Sequence, residues 1–441
     1  MMQVAVDETD GRRSFRFGFS HVLKATRREP VRNRTRRKLN PVEILIMCYC
    51  HKYAVPGSCQ VDHSIRRPTY RRLCFISIDE TLHCLPYRLV PATHETAAQP
   101  GRSGPPTASD IGEGHMEYRQ LGRYGVRVSP ICLGTAFRGF WAGRTDEKTC
   151  IRTIETAVDL GINFIDCANF YFGGRCEEVL GKALAAMKDK RDNLVITSKV
   201  WSEIGPGPND KGTSRYHIMR EIDRSLKRLG LDHIDLYLLH HFDPDTPLDE
   251  TLDAMNDVVR QGKARYVGMC NYTAAQVVEA MWVADRHSFA TPVCLQNQYN
   301  LIHRSGVETE LLDLCRRHGL GMMTYSPIAV GLLTGRCRRD EDPPAGSVWS
   351  KDIDRFRKVM TPAVDHLVAT LIDVAAELGR TPAQVAFAWI LDHPEVTAAM
   401  TGPDLPEHVE EVCGGTGWHL PPEMRCRLDE ASAPDRLGQV E

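Results

Sequence analysis

From Met116 onward, short runs rich in Val, Ile, Leu and Tyr alternate with longer amphipathic stretches. The short runs cover residues 131–135, 163–166, 194–200, 234–240, 264–271, 293–298, 321–326 and 396–401, which are strand lengths. The amphipathic stretches lie near 146–160, 175–188, 214–229, 248–261, 273–286, 306–318, 366–379 and 382–392 and read as helices. Ser214 and the Thr381–Pro382 pair supply capping chemistry at two helix starts, and Gly161, Gly230, Gly262, Gly319 and Gly379 stand at helix ends. Eight strands alternating with eight helical stretches predict an α/β protein whose parallel sheet closes into a (β/α)8 TIM barrel. An open doubly wound sheet is the alternative. Against it, no G-x-G-x-x-G follows the first strand.

Residues 1–115 lack such periodicity and predict a disordered N-terminal extension. They carry 18 Lys and Arg against 11 Asp and Glu, a balance of +7, whereas the rest of the chain stands at −9 within a total of −2. Seven of the twelve residues 27–38 are basic, which reads either as a nucleic-acid or targeting patch or as a solvated arm. Cys48, Cys50, His51, Cys59 and His63 do not match the usual zinc-finger spacings, so no metal is expected. Residues 99–114 are rich in Gly, Pro and Ser and read as a linker. The expected division is an extension and linker over 1–115, native or an upstream stretch joined by a wrongly assigned start, a barrel over 116–431, and a tail over 432–441.

The near-neutral total predicts no general attraction to nucleic acid or to an acidic membrane. The longest apolar run, 44–50, falls far short of the ~18 residues that a membrane span needs. Fifteen cysteines, of which the ten beyond residue 115 form no C-x-x-C pair, together with an N-terminus unlike a secretory signal, point to a reducing, cytoplasmic setting.

In a barrel of this kind the active site lies at the C-terminal ends of the strands. Those ends carry Asp166, Lys199 and His240, and Tyr171 follows Asp166 on the next loop. Each alone has an ordinary explanation: a helix cap, a solvated lysine, a rim histidine, a packed tyrosine. Together they make a proton-transfer device. A free phenol, with a pKa of ~10, exchanges protons poorly near neutrality. A neighbouring ammonium is expected to lower that pKa, and a carboxylate keeps the ammonium charged. A histidine can donate to a developing oxyanion.

Around these residues the chain resembles the aldo-keto reductase family. The resemblance runs from about Met116 to Ala431. It rests on MEYRQLGRYGVRVSPICLGT (116–135), NFIDCANFYFGGRCEEVLGKAL (163–184), VITSKV (195–200), IDLYLLHHFD (234–243), GMCNY (268–272), LQNQYN (295–300) and YSPIAVGLLTG (325–335). It implies NADP(H) bound across the strand ends and a tetrad of Asp166, Tyr171, Lys199 and His240, with Tyr171 as general acid. It further implies cofactor contacts from Thr135, Asp166, Cys270, Asn271, Gln298, Tyr325, Ser326, Pro327, Ile328, Gly331 and Leu332. Asn271 and Gln298 would hold the nicotinamide carboxamide, Tyr325 would stack on the ring, and Ser326 with the 331–335 turn would meet the pyrophosphate. Gly402, Asp404, His408 and Glu411 would lie at the adenosine end. Phe140, Trp141, Tyr171, Trp201, His240 and His241, with Phe170 and Phe242 nearby, outline an aromatic pocket for a small carbonyl substrate.

Three departures bear on this reading. Cys270 replaces the usual Ser, Cys167 a common Thr, and Asp404 an Arg or Lys, while His408 and Val412 also differ from the common pattern. An acid at 404 should repel a 2′-phosphate and accept from a 2′-hydroxyl, which leaves NAD(H) open beside NADP(H). The resulting expectation is a carbonyl-reducing oxidoreductase. A redox-sensing regulatory protein is the alternative, because potassium-channel beta subunits share this barrel and tetrad. A basic nucleic-acid module on a metabolic barrel is a third reading. The sequence leaves substrate, direction and oligomeric state open.

Overall fold

The predicted apolar runs become eight parallel strands: β1 (Ile131–Gly134), β2 (Phe164–Asp166), β3 (Val195–Val200), β4 (Ile234–Leu239), β5 (Ala264–Cys270), β6 (Cys294–Gln298), β7 (Gly321–Tyr325) and β8 (Val396–Thr401). In this computed structural model, which describes residues 116–437 and the backbone of 4–9 and 12–17, each strand pairs with its sequence neighbours. β8 returns to β1 through the Ala399↔Ile131 register and closes the barrel.

The helices around the sheet include α1 (Glu147–Asp159), α2 (Arg175–Ala186), α3 (Arg215–Leu229), α4 (Leu248–Arg260), α5 (Ala274–His287), α6 (Leu312–His318), α7 (Pro362–Glu377), α8 (Pro382–Leu391) and α9 (Pro406–Cys413). Ser214 caps α3 by accepting from the His217 N–H, and Thr381 forms a reciprocal capping box with Gln384 at α8. The sequence reading of one helix per strand needs correction at the end of the barrel. Both α7 and α8 lie between β7 and β8, and the helix that follows β8 is α9, which the hydrophobic pattern missed. α9 buries only Val409 and Val412, too few anchors in eight residues to register as a periodic stretch. Likewise the expected helix at 306–318 divides into a π-turn, Val307–Leu311, and α6.

Two layers of side chains hold this frame. Between sheet and helices pack Ile131, Ile165, Ile196, Leu239, Met269 and Met322. The barrel interior is filled by Cys132, Phe164, Leu236, Leu238, Cys270 and Met323. Each large side chain sealed inside contributes roughly 1.5–3 kcal/mol. Near its N-terminal end, a short antiparallel pair of Arg119–Gln120 with Arg127–Val128 sends Leu121 into that inner cluster. The turn sits tightly on the chain entering β7: the Arg123 N–H donates to the Gly319 carbonyl at 2.8 Å. Gly122 has φ +61°, and a Cβ there would lie 2.3 Å from the Gly319 oxygen. Gly122→Ala is therefore expected to lower the unfolding free energy by about 1–3 kcal/mol, measured by chemical denaturation; wild-type stability would show that the turn yields freely.

Among the described residues no single helix is long and apolar enough to cross a membrane. One bent pair, Ile353–Val359 with α7, passes on length and composition, but Val364, Leu367, Val368 and Leu371 of α7 are buried in the core.

At the N-terminus, Val4–Thr9 pairs antiparallel with Arg12–Phe17, in the register Val4↔Phe17 to Thr9↔Arg12. The sequence reading assigned no strands there. The basic run 27–38, the Cys48–His63 set and the 99–114 linker lie outside the described residues.

Candidate active site

Lys199 leaves β3 pointing into the barrel, and its side chain is completely buried together with Asp166 of β2. Burial is the largest single influence and opposes the ammonium, but the Asp166 carboxylate in direct contact, together with Tyr171 and Cys270, outweighs it, so Lys199 stays charged with its pKa above the usual lysine value. The ammonium also donates to the Cys167 carbonyl at 2.9 Å and to the Tyr171 Oη at 3.4 Å. Asp166 accepts further from Thr197 Oγ1 at 2.6 Å and Gln296 Nε2 at 3.1 Å, both on its Oδ1. Thr197 and Gln296 were missed from the sequence. Strand alternation could have found them, because residues two apart share a face: Thr197 precedes Lys199 by two, and Gln296 precedes Gln298 by two.

Tyr171 departs from the sequence expectation in one respect. Its pKa lies above the ordinary tyrosine value, not below it. Burial penalises the phenolate more than the Lys199 charge favours it. The phenol is therefore firmly protonated, and since Lys199 donates to its oxygen, the phenol keeps its own O–H proton to give.

His240 follows β4 and is buried, with Nδ1 lacking a hydrogen-bond partner. Burial, reinforced by Lys199 and His241, pushes its pKa down to about 2. The imidazole is thus neutral across the ordinary pH range and has one N–H to donate. An unfolded histidine takes up its proton near pH 6.5 but the folded one only near pH 2, so the unfolded state binds more protons in between. His240 costs nothing above pH 6.5 and lowers stability as pH falls below it, by about 1.4 kcal/mol per pH unit. His240→Asn should flatten the pH dependence of the unfolding free energy by roughly that slope across pH ~4.5–6, as read by urea titrations. An unaltered slope would place His240 in contact with solvent.

The expected cofactor-binding residues ring the same mouth. Thr135 is buried, and both its N–H and its hydroxyl donate to the Asp166 carbonyl, at 2.8 and 2.9 Å. Cys270 Sγ donates to Gln296 Oε1 at 3.2 Å. Asn271 uses Nδ2 on the His240 carbonyl at 3.0 Å and receives the Tyr325 hydroxyl on Oδ1 at 2.8 Å. Gln298 ends β6 in register with Tyr325. Beyond Tyr325, Ser326, Ala329 and Val330 all adopt left-handed backbone, which is uncommon for any residue but glycine and rarest for the β-branched Val330. Within the loop the N–H groups of Gly331 and Leu333 both close on the Ile328 carbonyl, and Leu332 is buried in the core. The turn consumes these donors itself because it must satisfy its own tight backbone. Pro327 is buried and Ile328 half-buried beside it.

After β8, Gly402 and His408 are exposed, and the Glu411 carbonyl accepts from Gln384 Nε2 at 3.0 Å. Asp404 is already engaged by protein. Its Oδ1 accepts from the Gly139 N–H at 2.7 Å, and its Oδ2 pairs with Arg144 at 3.1 Å.

The aromatic residues do converge. Tyr171 packs at 4.9 Å between ring centres from Phe170 and 6.0 Å from His240, with Trp141 at 6.4 Å. Trp141 stacks on Phe172 at 5.8 Å, and Phe140 meets Phe172 edge-on at 5.1 Å. Trp201 lies 4.6 Å from His241. Phe242 turns away and packs on Tyr272. Phe172, exposed on this wall, was not singled out from the sequence. Among the described residues no group of three or more His, Cys, Asp or Glu is gathered to hold a metal.

Comparison with known proteins places this arrangement. The family model described as "Aldo/keto reductase family" matches residues 130–433. A "Probable voltage-gated potassium channel subunit beta" of Arabidopsis thaliana is 37% identical over 298 residues, 67% of this chain and 90% of its own length. An "Uncharacterized oxidoreductase YrpG" of Bacillus subtilis is 39% identical over 323 residues, 71% of this chain and 95% of its own. A "Putative voltage-gated potassium channel subunit beta" of Schizosaccharomyces pombe is 34% identical, covering 72% and 93%. The barrel, the ammonium shared by carboxylate and phenol at its mouth, and these matches agree: the chain belongs to the aldo/keto reductase family of oxidoreductases.

Proposed function

We propose that this protein is an NADP(H)-dependent oxidoreductase that interconverts an aldehyde or ketone and its alcohol, with Tyr171 moving the proton. One observation carries the reading: the buried Lys199 ammonium contacts Asp166 and donates to the Tyr171 oxygen. The residues present fit a nicotinamide. Tyr325 offers an aromatic face, Asn271, Gln298 and Ser326 offer neutral polar groups, and the Asp166 charge is already countered by Lys199. Bound NADP(H) would supply or accept the hydride. The chain's own residues do the rest. Tyr171 gives its proton to the carbonyl oxygen, and Lys199 stabilises the phenolate left behind. Neutral His240 donates a hydrogen bond to the same oxygen as charge develops there. The surrounding Phe140, Trp141, Phe172 and Trp201 exclude water and favour a ring-bearing or apolar carbonyl. The ten free cysteines among the described residues support a cytoplasmic setting.

Turnover of a panel of aldehydes and ketones with NADPH and NADH tests this reading, and sustained oxidation of NADPH is the expected result. The names of the Arabidopsis and Schizosaccharomyces relatives favour a second reading, a cofactor-binding subunit of a channel-like partner. Tight NADPH binding with negligible turnover of every carbonyl would favour it over the first.

A further inference from the structure

Asp404 stands in the loop after β8, yet its carboxylate faces the loop after β1. Three contacts form a closed ring: Gly139 N–H to Asp404 Oδ1 at 2.7 Å, Arg144 Nη2 to Asp404 Oδ2 at 3.1 Å, and Arg144 N–H back to the Gly139 carbonyl at 2.8 Å. The fit is close. A Cβ on Gly139 would lie 2.6 Å from the Asp404 carboxyl carbon, so the carboxylate sits directly against the turn. That turn, Arg138–Trp141, is entered through Phe137 in left-handed backbone, and so depends on outside contacts to hold its shape. It carries Phe140 and Trp141, which reach Phe172 and Tyr171 across the mouth of the barrel. Trp141 remains 41% exposed, and its Nε1 donates to Cys176 Sγ at 3.4 Å.

We propose that Asp404 is a specificity-determining positioning residue: by clasping Gly139 and Arg144 it sets the Phe140–Trp141 wall that selects the carbonyl substrate. The proposal rests on the functional reading above for its substrate but not for its geometry. A carboxylate that accepts a backbone N–H and a guanidinium at once makes two charge-assisted bonds, stronger than neutral ones. Removing it frees the Gly139 N–H within the turn that holds two large rings, and Arg144 just beyond it.

The test combines kinetics and fluorescence on the full chain, using Asp404→Ala, Asp404→Asn and Arg144→Ala. Asp404→Ala is expected to raise KM for an aromatic aldehyde about tenfold while changing KM for a two-carbon aldehyde by less than about twofold. Asp404→Asn, which keeps an acceptor for Gly139 N–H, should retain most of the discrimination, and Arg144→Ala should fall between. The ratio of NADPH to NADH dissociation constants should stay within about twofold in all three. Acrylamide quenching, compared with a Trp141→Phe background, should show Trp141 more accessible in Asp404→Ala. A cofactor ratio shifted tenfold or more with aldehyde selectivity intact would overturn the proposal and return Asp404 to the adenosine end. Unchanged Trp141 quenching would overturn it as well. If no carbonyl turns over with the wild-type protein, the functional reading fails, and the quenching comparison still decides whether Asp404 holds the wall.

Discussion

Tyr171→Phe is expected to lower kcat for carbonyl turnover by about 10²-fold or more, the usual range for a positioned proton donor. The substitution leaves the ring among Phe170, Trp141 and His240, so packing is retained and only the hydroxyl is lost. Cofactor dissociation constants and thermal midpoint should therefore stay close to wild type. The pH profile provides a second check. Burial holds the Tyr171 pKa above its ordinary value of 10.0, so the phenol remains protonated throughout the neutral and mildly alkaline range. Reductive kcat should accordingly be flat up to about pH 10, because the donor loses its proton only beyond that. Wild-type kcat in Tyr171→Phe, or a fall in reductive kcat beginning near neutrality, would remove Tyr171 from the proton-transfer role.

Lys199→Met should be the most destabilising substitution in the site, costing about 3–5 kcal/mol. The side chains are similar in length, but the variant leaves Asp166 wholly buried with only neutral donors, Thr197 and Gln296, to compensate its charge. The attraction between two opposite charges is partly cancelled by the cost of taking both out of water, so the loss comes mainly from stranding the survivor. Lys199→Met combined with Asp166→Leu should thus recover much of the stability while remaining inactive. The folded lysine pKa is raised above 10.5, so its contribution is complete below pH 10.5 and is lost only as pH rises through the higher folded value. The penalty of Lys199→Met should be constant between about pH 7 and 9. Urea unfolding of the single and double variants measures both statements. Equal stability of the single variant and wild type would show that the pair adds nothing to the fold.

Strand order and strand ends were legible along the chain because barrel strands are buried on both faces and stand out as continuous apolar runs between turn residues. Asp166, Lys199 and His240 could be placed at one mouth for the same reason: each closes an apolar run, and parallel strands put all their C-terminal ends on one side. The helix after β8 was not legible, since α9 anchors itself with two valines and the pattern carries no surplus. The direction of the Tyr171 shift was not legible either. Chain order shows that a phenol and an ammonium are near each other, but the balance between charge and burial depends on how much protein encloses them. Gln296 and Thr197 joined the site only once the barrel had brought β2, β3 and β6 around one carboxylate. Asp404 is the sharpest case. Its partners lie 260 and 265 residues earlier, and they meet because β8 closes on β1, a contact written nowhere in local sequence. Hydrophobic spacing determines local elements; which polar groups share a buried space is settled by closure of the sheet.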